Sequence, residues 1–246
     1  MTRTLAVLLG ISCLLFADDE VKQKVQATHT ERLNFPAGGR LRLSNSIGEL
    51  TVEGWDRPDI EITTILSTQA EYASRDREKA SRELDKVKIS AAPQGADLVI
   101  TTVYPRRQAL SPARLLGPAA GFDLEYRIKA PRNAVLEVDH VTGEVHVYDM
   151  TADIRATVHS GLITLNLPPE SVYDIDAKSE LGEVISDFPG HRQRTRVFGH
   201  QFVQGTPAAH KLYLRAGFGD IIIFKIQKPP SGATATPRAS GGANPR

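Results

Sequence analysis

Carboxylates and histidines are the first side chains in this sequence that could do chemistry. Asp174 and Asp176 are two apart, so on an extended chain they point to one face, as the acid pair of a glycosidase or a lyase would. Asp149 is a third acid of the same kind. Glu49, Glu144, Glu183 and Asp220 each follow a glycine, and a ladder of such carboxylates has the oxygen ligands that Ca²⁺ takes. Leu162, which follows Gly161, interrupts that ladder between Glu144 and Glu183. His140, His146 and His159 fall on separate strand-like segments, whereas a metal needs three ligands that converge. Arg106, Arg107 and Arg114 give the Pro- and Gly-rich stretch 105–121 a basic tip suited to an anionic envelope polymer or a lipid headgroup.

Each of these has a plainer account. Asp176 has Arg155 as its expected ion-pair neighbour, the acids after the glycines read as solvated turn residues, and nothing in the spacing makes the histidines converge. No nucleophile elbow, zinc-protease helix, P-loop or dinucleotide fingerprint occurs. The sequence therefore implies no catalytic residue, no metal and no cofactor, and leaves Arg106, Arg107 and Arg114 as the binding candidates.

The elements that must position these residues follow one pattern. Around Gly48, Gly143, Gly161, Gly182 and Gly219, the position two after each glycine is Leu50, Val145, Ile163, Val184 and Ile221, and four after it stand Val52, Val147, Leu165, Ser186 and Ile223. Five before come Leu43, Val138, Ala156, Ala177 and Leu214, and seven before come Leu41, Leu136, Ile154, Ile175 and Leu212. Only Ser186 is polar in these four columns. Because side chains alternate across a strand, the columns share one buried face, and the glycine turns the chain between the two strands of a unit. Gly143, Gly161 and Gly182 are 18 and 21 residues apart, and 37, close to two periods, separate Gly182 from Gly219. Such a period with two short strands predicts a β-solenoid, a β-helix-like stack whose rungs follow in chain order. Glu137, Arg155 and Asp176 would then meet on consecutive rungs with alternating charge. The missing unit falls near Val197–Phe202, as a degenerate rung or a hairpin excursion.

Two interruptions are expected. Residues 69–86 have the apolar spacing and the one-turn charge pairs of an amphipathic helix, and Pro93-Gln94-Gly95 marks a hairpin. The helix carries charges of both signs, which is the mark of a solvated face and not of a nucleic-acid contact.

With S-x-x-G-E-L-T-V, V-T-G-E-V-H-V, H-S-G-L-I-T-L and G-F-G-D-I-I-I in place, after a helix and hairpin and the opening Y-R-I-K-A-P, the chain resembles the bacterial putative-adhesin family of β-strand repeat proteins over most of Leu41 to Lys225. That resemblance implies an exported or envelope-associated β-repeat protein and brings no catalytic residues with it.

The ends agree with export. Residues 1–17 read as a signal peptide: a charged start, an apolar run over Leu5–Ala17, then Asp18-Asp19-Glu20. Cys13, the single cysteine, leaves lipoprotein anchoring as an alternative, and cleavage after Ala17 leaves no cysteine for disulfides or thiolate zinc sites. Residues 18–228 make the β domain, and 229–246 are a Pro-, Ser- and Gly-rich tail expected to be disordered. Lys plus Arg, 30, balances Asp plus Glu, 29, so no overall field favours a nucleic acid. These readings lead to a non-enzymatic binding or scaffold module of the periplasm or cell surface, whose partner is an envelope polymer or protein. Two alternatives stand beside it: a carbohydrate-active enzyme with a groove along a β-helix, using Asp174, Asp176 or Asp149, and self-assembly through a bare terminal rung at Ile221 to Ile226.

Overall fold

A computed structural model of the chain describes residues 21–36, 38–104, 121–195, 198–205, 207 and 210–226. These residues form an all-β fold with one short helix. In chain order the strands are β1 (Gln23–Asn34), β2 (Arg40–Trp55) and β3 (Asp59–Tyr72), then α1 (Arg77–Leu84). The hairpin β4 (Lys88–Gln94) and β5 (Asp97–Val103) follows, then β6 (Phe122–Pro131), β7 (Val135–Tyr148), β8 (Ile154–Leu167), β9 (Tyr173–Gly182) and β10 (Val184–Ser186). The last strands are β11 (His191–Arg194), β12 (Phe198–Gln204), β13 (His210–Phe218) and β14 (Ile221–Lys225). Gln69–Tyr72, expected to open the helix, instead continue β3, whose Glu71 and Tyr72 pair with β1. The helix is left with a single buried pair, Ala80 and Leu84.

Each glycine unit is a bent ribbon, and the ribbons lie parallel and in register. Gly48 faces Gly143 across β2 and β7, and Gly143 faces Gly161 across β7 and β8. Before the bend, β5, β2, β7, β8, β13 and β9 lie side by side; after it, β6, β2, β7, β8, β14 and β10 do. Antiparallel strands cover the margins: β3 and then β1 beyond β6, β4 beyond β5, and β12 and β11 beyond β9. The sheet does not close into a barrel. Its inward columns, from Leu41 and Leu136 to Ile221 and Ile223, are almost wholly removed from solvent and join one core. At roughly 1.5 to 3 kcal/mol for each large apolar side chain, this burial is the main driving force, most of it offset by chain entropy.

The order of the ribbons departs from the expected chain-order winding. β13 and β14, the last unit, lie between β8 and the unit of β9 and β10. The glycines show it directly: a Cβ on Gly161 would run into the backbone oxygen of Gly143, one on Gly219 into that of Gly161, and one on Gly182 into that of Gly219. The ladder therefore runs 48, 143, 161, 219, 182. Composition explains the exchange. Ile221-Ile222-Ile223, a β-branched run, takes the place bonded on both edges, whereas Val184-Ile185-Ser186, with the one polar residue of the inward columns, is a three-residue strand paired to β14 alone. Phe188 turns in beside it, buried edge-on against Tyr173. Ile221 to Ile223 is thus paired on both edges, so the last strand is not the bare terminal rung that self-assembly through it would need. The stretch near residue 200 is the hairpin β11–β12, antiparallel to β9.

Candidate functional site

The inside of the bend is closed by polar side chains that take up backbone groups. His140, 1% exposed, shares a 2.8 Å hydrogen bond between Nδ1 and Ser46 Oγ, and its Nε2 lies 3.1 Å from Gly48 O. A proton on Nε2 donated to that carbonyl leaves Nδ1 to accept from the Ser46 hydroxyl, so the neutral ring satisfies both contacts. Burial lowers the His140 pKa to about 4, against hydrogen bonds to the Gly48 and Thr142 backbone that raise it. At the other end of the stack Ser179 Oγ donates to Gly219 O at 2.7 Å, and His200 Nδ1 lies 3.1 Å from Gly182 O. Between β5 and β6, Thr102 and Tyr126 share a short hydroxyl contact, and burial pushes the Tyr126 phenol up to about 12. These groups are structural: each is spent on holding the bend.

The sequence candidates are dispersed. Asp174 and Asp176 sit on the outward face of β9, and Asp149 lies just past the end of β7. Arg155 does not reach Asp176, because Tyr213 stands between them in register. Arg155 lies 4.4 Å over the Tyr213 ring instead, and Arg215, 3.8 Å over the same ring, donates from Nη2 to Asp176 Oδ2 at 2.6 Å. Partial burial raises the Asp176 carboxyl, but hydrogen bonds from Arg215 and Gln201 and the charge of Arg215 outweigh it and hold the group below the usual carboxylate range. A general acid needs the opposite shift. Asp149 is in close contact with Arg132. Glu137, at the far end of the expected charge row, is 3.4 Å from Arg42 and 3.6 Å from Arg40.

Among the acids after the glycines, Glu144 is followed by Leu162 in register, and Asp220 Oδ1 accepts from the Glu183 backbone N–H at 2.8 Å. Glu183 itself contacts Arg192. His146 bonds Glu144 at 3.0 Å and stacks on Tyr148, and His159 meets Phe218 edge-on, so the three histidines point to three separate places. Among the described residues no group of three His, Cys, Asp or Glu is placed to hold a metal ion. Arg106, Arg107 and Arg114 lie outside the described residues, as do residues 1–17 and 229–246. No helix among the described residues is long and apolar enough to cross a membrane.

What the sequence reading passed over is a row five residues after the glycines. Tyr148, Asn166 and Phe224 stand side by side on β7, β8 and β14, all on the outward face. With Asp187, Lys225 and Ile226 they line an open groove of about 470 Å³. Tyr148 and Phe224 keep 38% and 39% of their surface exposed, and what sets them apart from other exposed apolar side chains is their place in one row across three paired strands. Asn166 carries its neighbours' backbone ladder, but its side-chain amide bonds to nothing among the described residues. The column was readable from the glycine alignment. The adjacency of Asn166 to Phe224 was not, because it depends on the inserted last unit.

No family model matches the chain, and no curated protein matches it. Among solved structures, a putative cell adhesion protein from Clostridium sporogenes is similar at a TM-score of 0.48 and 13% identity, over 82% of this chain and 100% of that one. A putative adhesin from Parabacteroides merdae reaches 0.25 at 9% identity over 81% of each chain, and a putative lipid binding protein from Parabacteroides distasonis 0.24 at 10% over 81% of this chain and 97% of that one. Likenesses of this size say nothing about what this chain binds.

Proposed function

We propose that the chain is an exported, non-catalytic binding module of the bacterial envelope, an adhesin-like, solenoid-related stack that holds an envelope polymer or protein against its outward strand faces. The observation that carries this reading is the state of the outward charges. Asp176 is tied to Arg215 and Asp149 to Arg132, so two of the three candidate acids are engaged in ion pairs and only Asp174 is left without one among the described residues. An enzyme cutting polysaccharide would need one carboxyl held protonated and another free beside it. Export rests on the leader-like residues 1–17. The basic stretch with Arg106, Arg107 and Arg114 belongs to the proposal as a second contact for an anionic polymer.

Incubating the chain from Asp18 onward with envelope extract tests this. Retention of envelope polymer without release of new sugar ends is expected; depolymerisation would replace the module by the enzyme reading. Reversing the charge of Arg106, Arg107 and Arg114 together should weaken retention of an anionic polymer, and unchanged retention would remove those residues from the account.

A further inference from the structure

We infer that the row Tyr148–Asn166–Phe224, with Asp187 and Lys225 at its rim, is a saccharide platform that takes an extended polysaccharide lying across the strands. The inference rests on the binding-module reading and adds to it a site and a ligand class.

The row sets two partly exposed aromatic side chains on either side of a polar one, with the Tyr148 ring 6.5 Å from that of His146. Each residue of the row is fixed by ladder pairing, Tyr148 to Asn166 and Asn166 to Phe224. The rings therefore stand two strand spacings apart, roughly 9.6 Å, and cannot approach one another. A pyranose has a face of C–H bonds that stacks on an aromatic ring and a rim of hydroxyls that need donors and acceptors. Asn166 offers both kinds from a side chain with no partner among the described residues, at the midpoint between the rings. Asp187, whose Oδ2 accepts from the Lys225 backbone N–H at 3.2 Å, lines the same groove beyond Phe224. The Lys225 ammonium, 4.8 Å over the Phe188 ring, adds a donor at that end.

Other occupants fit less well. A lipid surface calls for a continuous apolar face with a basic rim, and here the rim carries one acid and one base. A protein hot spot centres on a desolvated aromatic or Arg anchor with charges kept to the rim, whereas the middle of this row is an amide with Asp187 and Lys225 close beside it. The floor beside the row, with Thr164 and Ile222 in register between His146 and Ile185, continues the same mixed character.

The test is calorimetric titration of the chain from Asp18 onward with chitohexaose and with cellohexaose, repeated for Tyr148→Ala, Phe224→Ala, Asn166→Ala and the double aromatic variant. Both rings are about three-fifths covered, so each variant's melting temperature is measured first and binding is read well below it, on the folded protein. Binding of either hexasaccharide, weakened about tenfold by each aromatic substitution and abolished in the double variant, is expected. Binding that the variants leave unchanged would overturn the platform. Absence of hexasaccharide binding while envelope polymer is still retained would overturn the platform and leave the module reading intact; absence of both would overturn the two together.

Discussion

Substituting Gly161 by Ala perturbs the bend where three ribbons meet. Gly161 has φ +143°, in a region that side chains rarely adopt, and the strain of placing Ala there is about 1 to 3 kcal/mol. The added Cβ would also lie well inside contact distance of the Gly143 carbonyl oxygen, which is backbone and cannot swing away. Relief requires β7 and β8 to part locally, at about 1 kcal/mol for each weakened hydrogen bond. Strain and one or two lost bonds together give about 2 to 5 kcal/mol, a large part of the roughly 5 to 15 kcal/mol that holds a domain folded. For a chain of this size that is a fall of roughly 4 to 20 °C in melting temperature. Gly205→Ala is the control: nothing lies within 4 Å of its added Cβ, so the change should stay within about 0.5 kcal/mol. Differential scanning calorimetry of the three proteins decides it. A Gly161→Ala protein melting within about 2 °C of the parent would refute the claim that close approach of the ribbons demands glycine.

Three further outcomes follow from particular contacts. The folded chain holds His140 near a pKa of about 4 against 6.5 in the unfolded chain, so the unfolded state binds more protons between those values. Stability should therefore fall as pH drops below about 6.5, with the loss of about 3 kcal/mol complete near pH 4; urea midpoints of the parent should show this slope and those of His140→Gln should lack it, and equal slopes would contradict it. Arg215→Ala should cost about 1 kcal/mol and let the Asp176 carboxyl titrate at higher pH by NMR, whereas an unmoved titration would mean that Arg215 does not hold it. The unit order predicts that Arg155→Cys with Tyr213→Cys forms a disulfide, the two positions being neighbours about 4.8 Å apart, and that Arg155→Cys with Asp176→Cys, about 9.6 Å apart, does not; the reverse pattern would restore chain-order winding.

The inward columns were legible because burial of one strand face writes a period of two into the sequence, and Leu41, Val138 and Ile163 carry it plainly. The hairpin at Gly95 was legible for a similar local reason. The neighbours of β9 were not. Strand order is a long-range property, and two units with the same period can exchange places without altering either pattern, so Arg155 pointed to Asp176 when Tyr213 lay between them. The start of the helix was misread because Gln69–Tyr72 carries helix-forming residues yet is held by pairing with β1, where tertiary contact overrides propensity. The aromatic row combined both situations: Tyr148 and Asn166 were visible as one column, and Phe224 joined them only through the inserted unit.

The most direct test of a non-catalytic binding module is to hold purified envelope polysaccharide on the immobilised chain and measure the polymer's length distribution on release. Retention with the distribution unchanged is the predicted result. Shortened chains would contradict it, as would a parent protein that retains neither this polysaccharide nor any envelope protein.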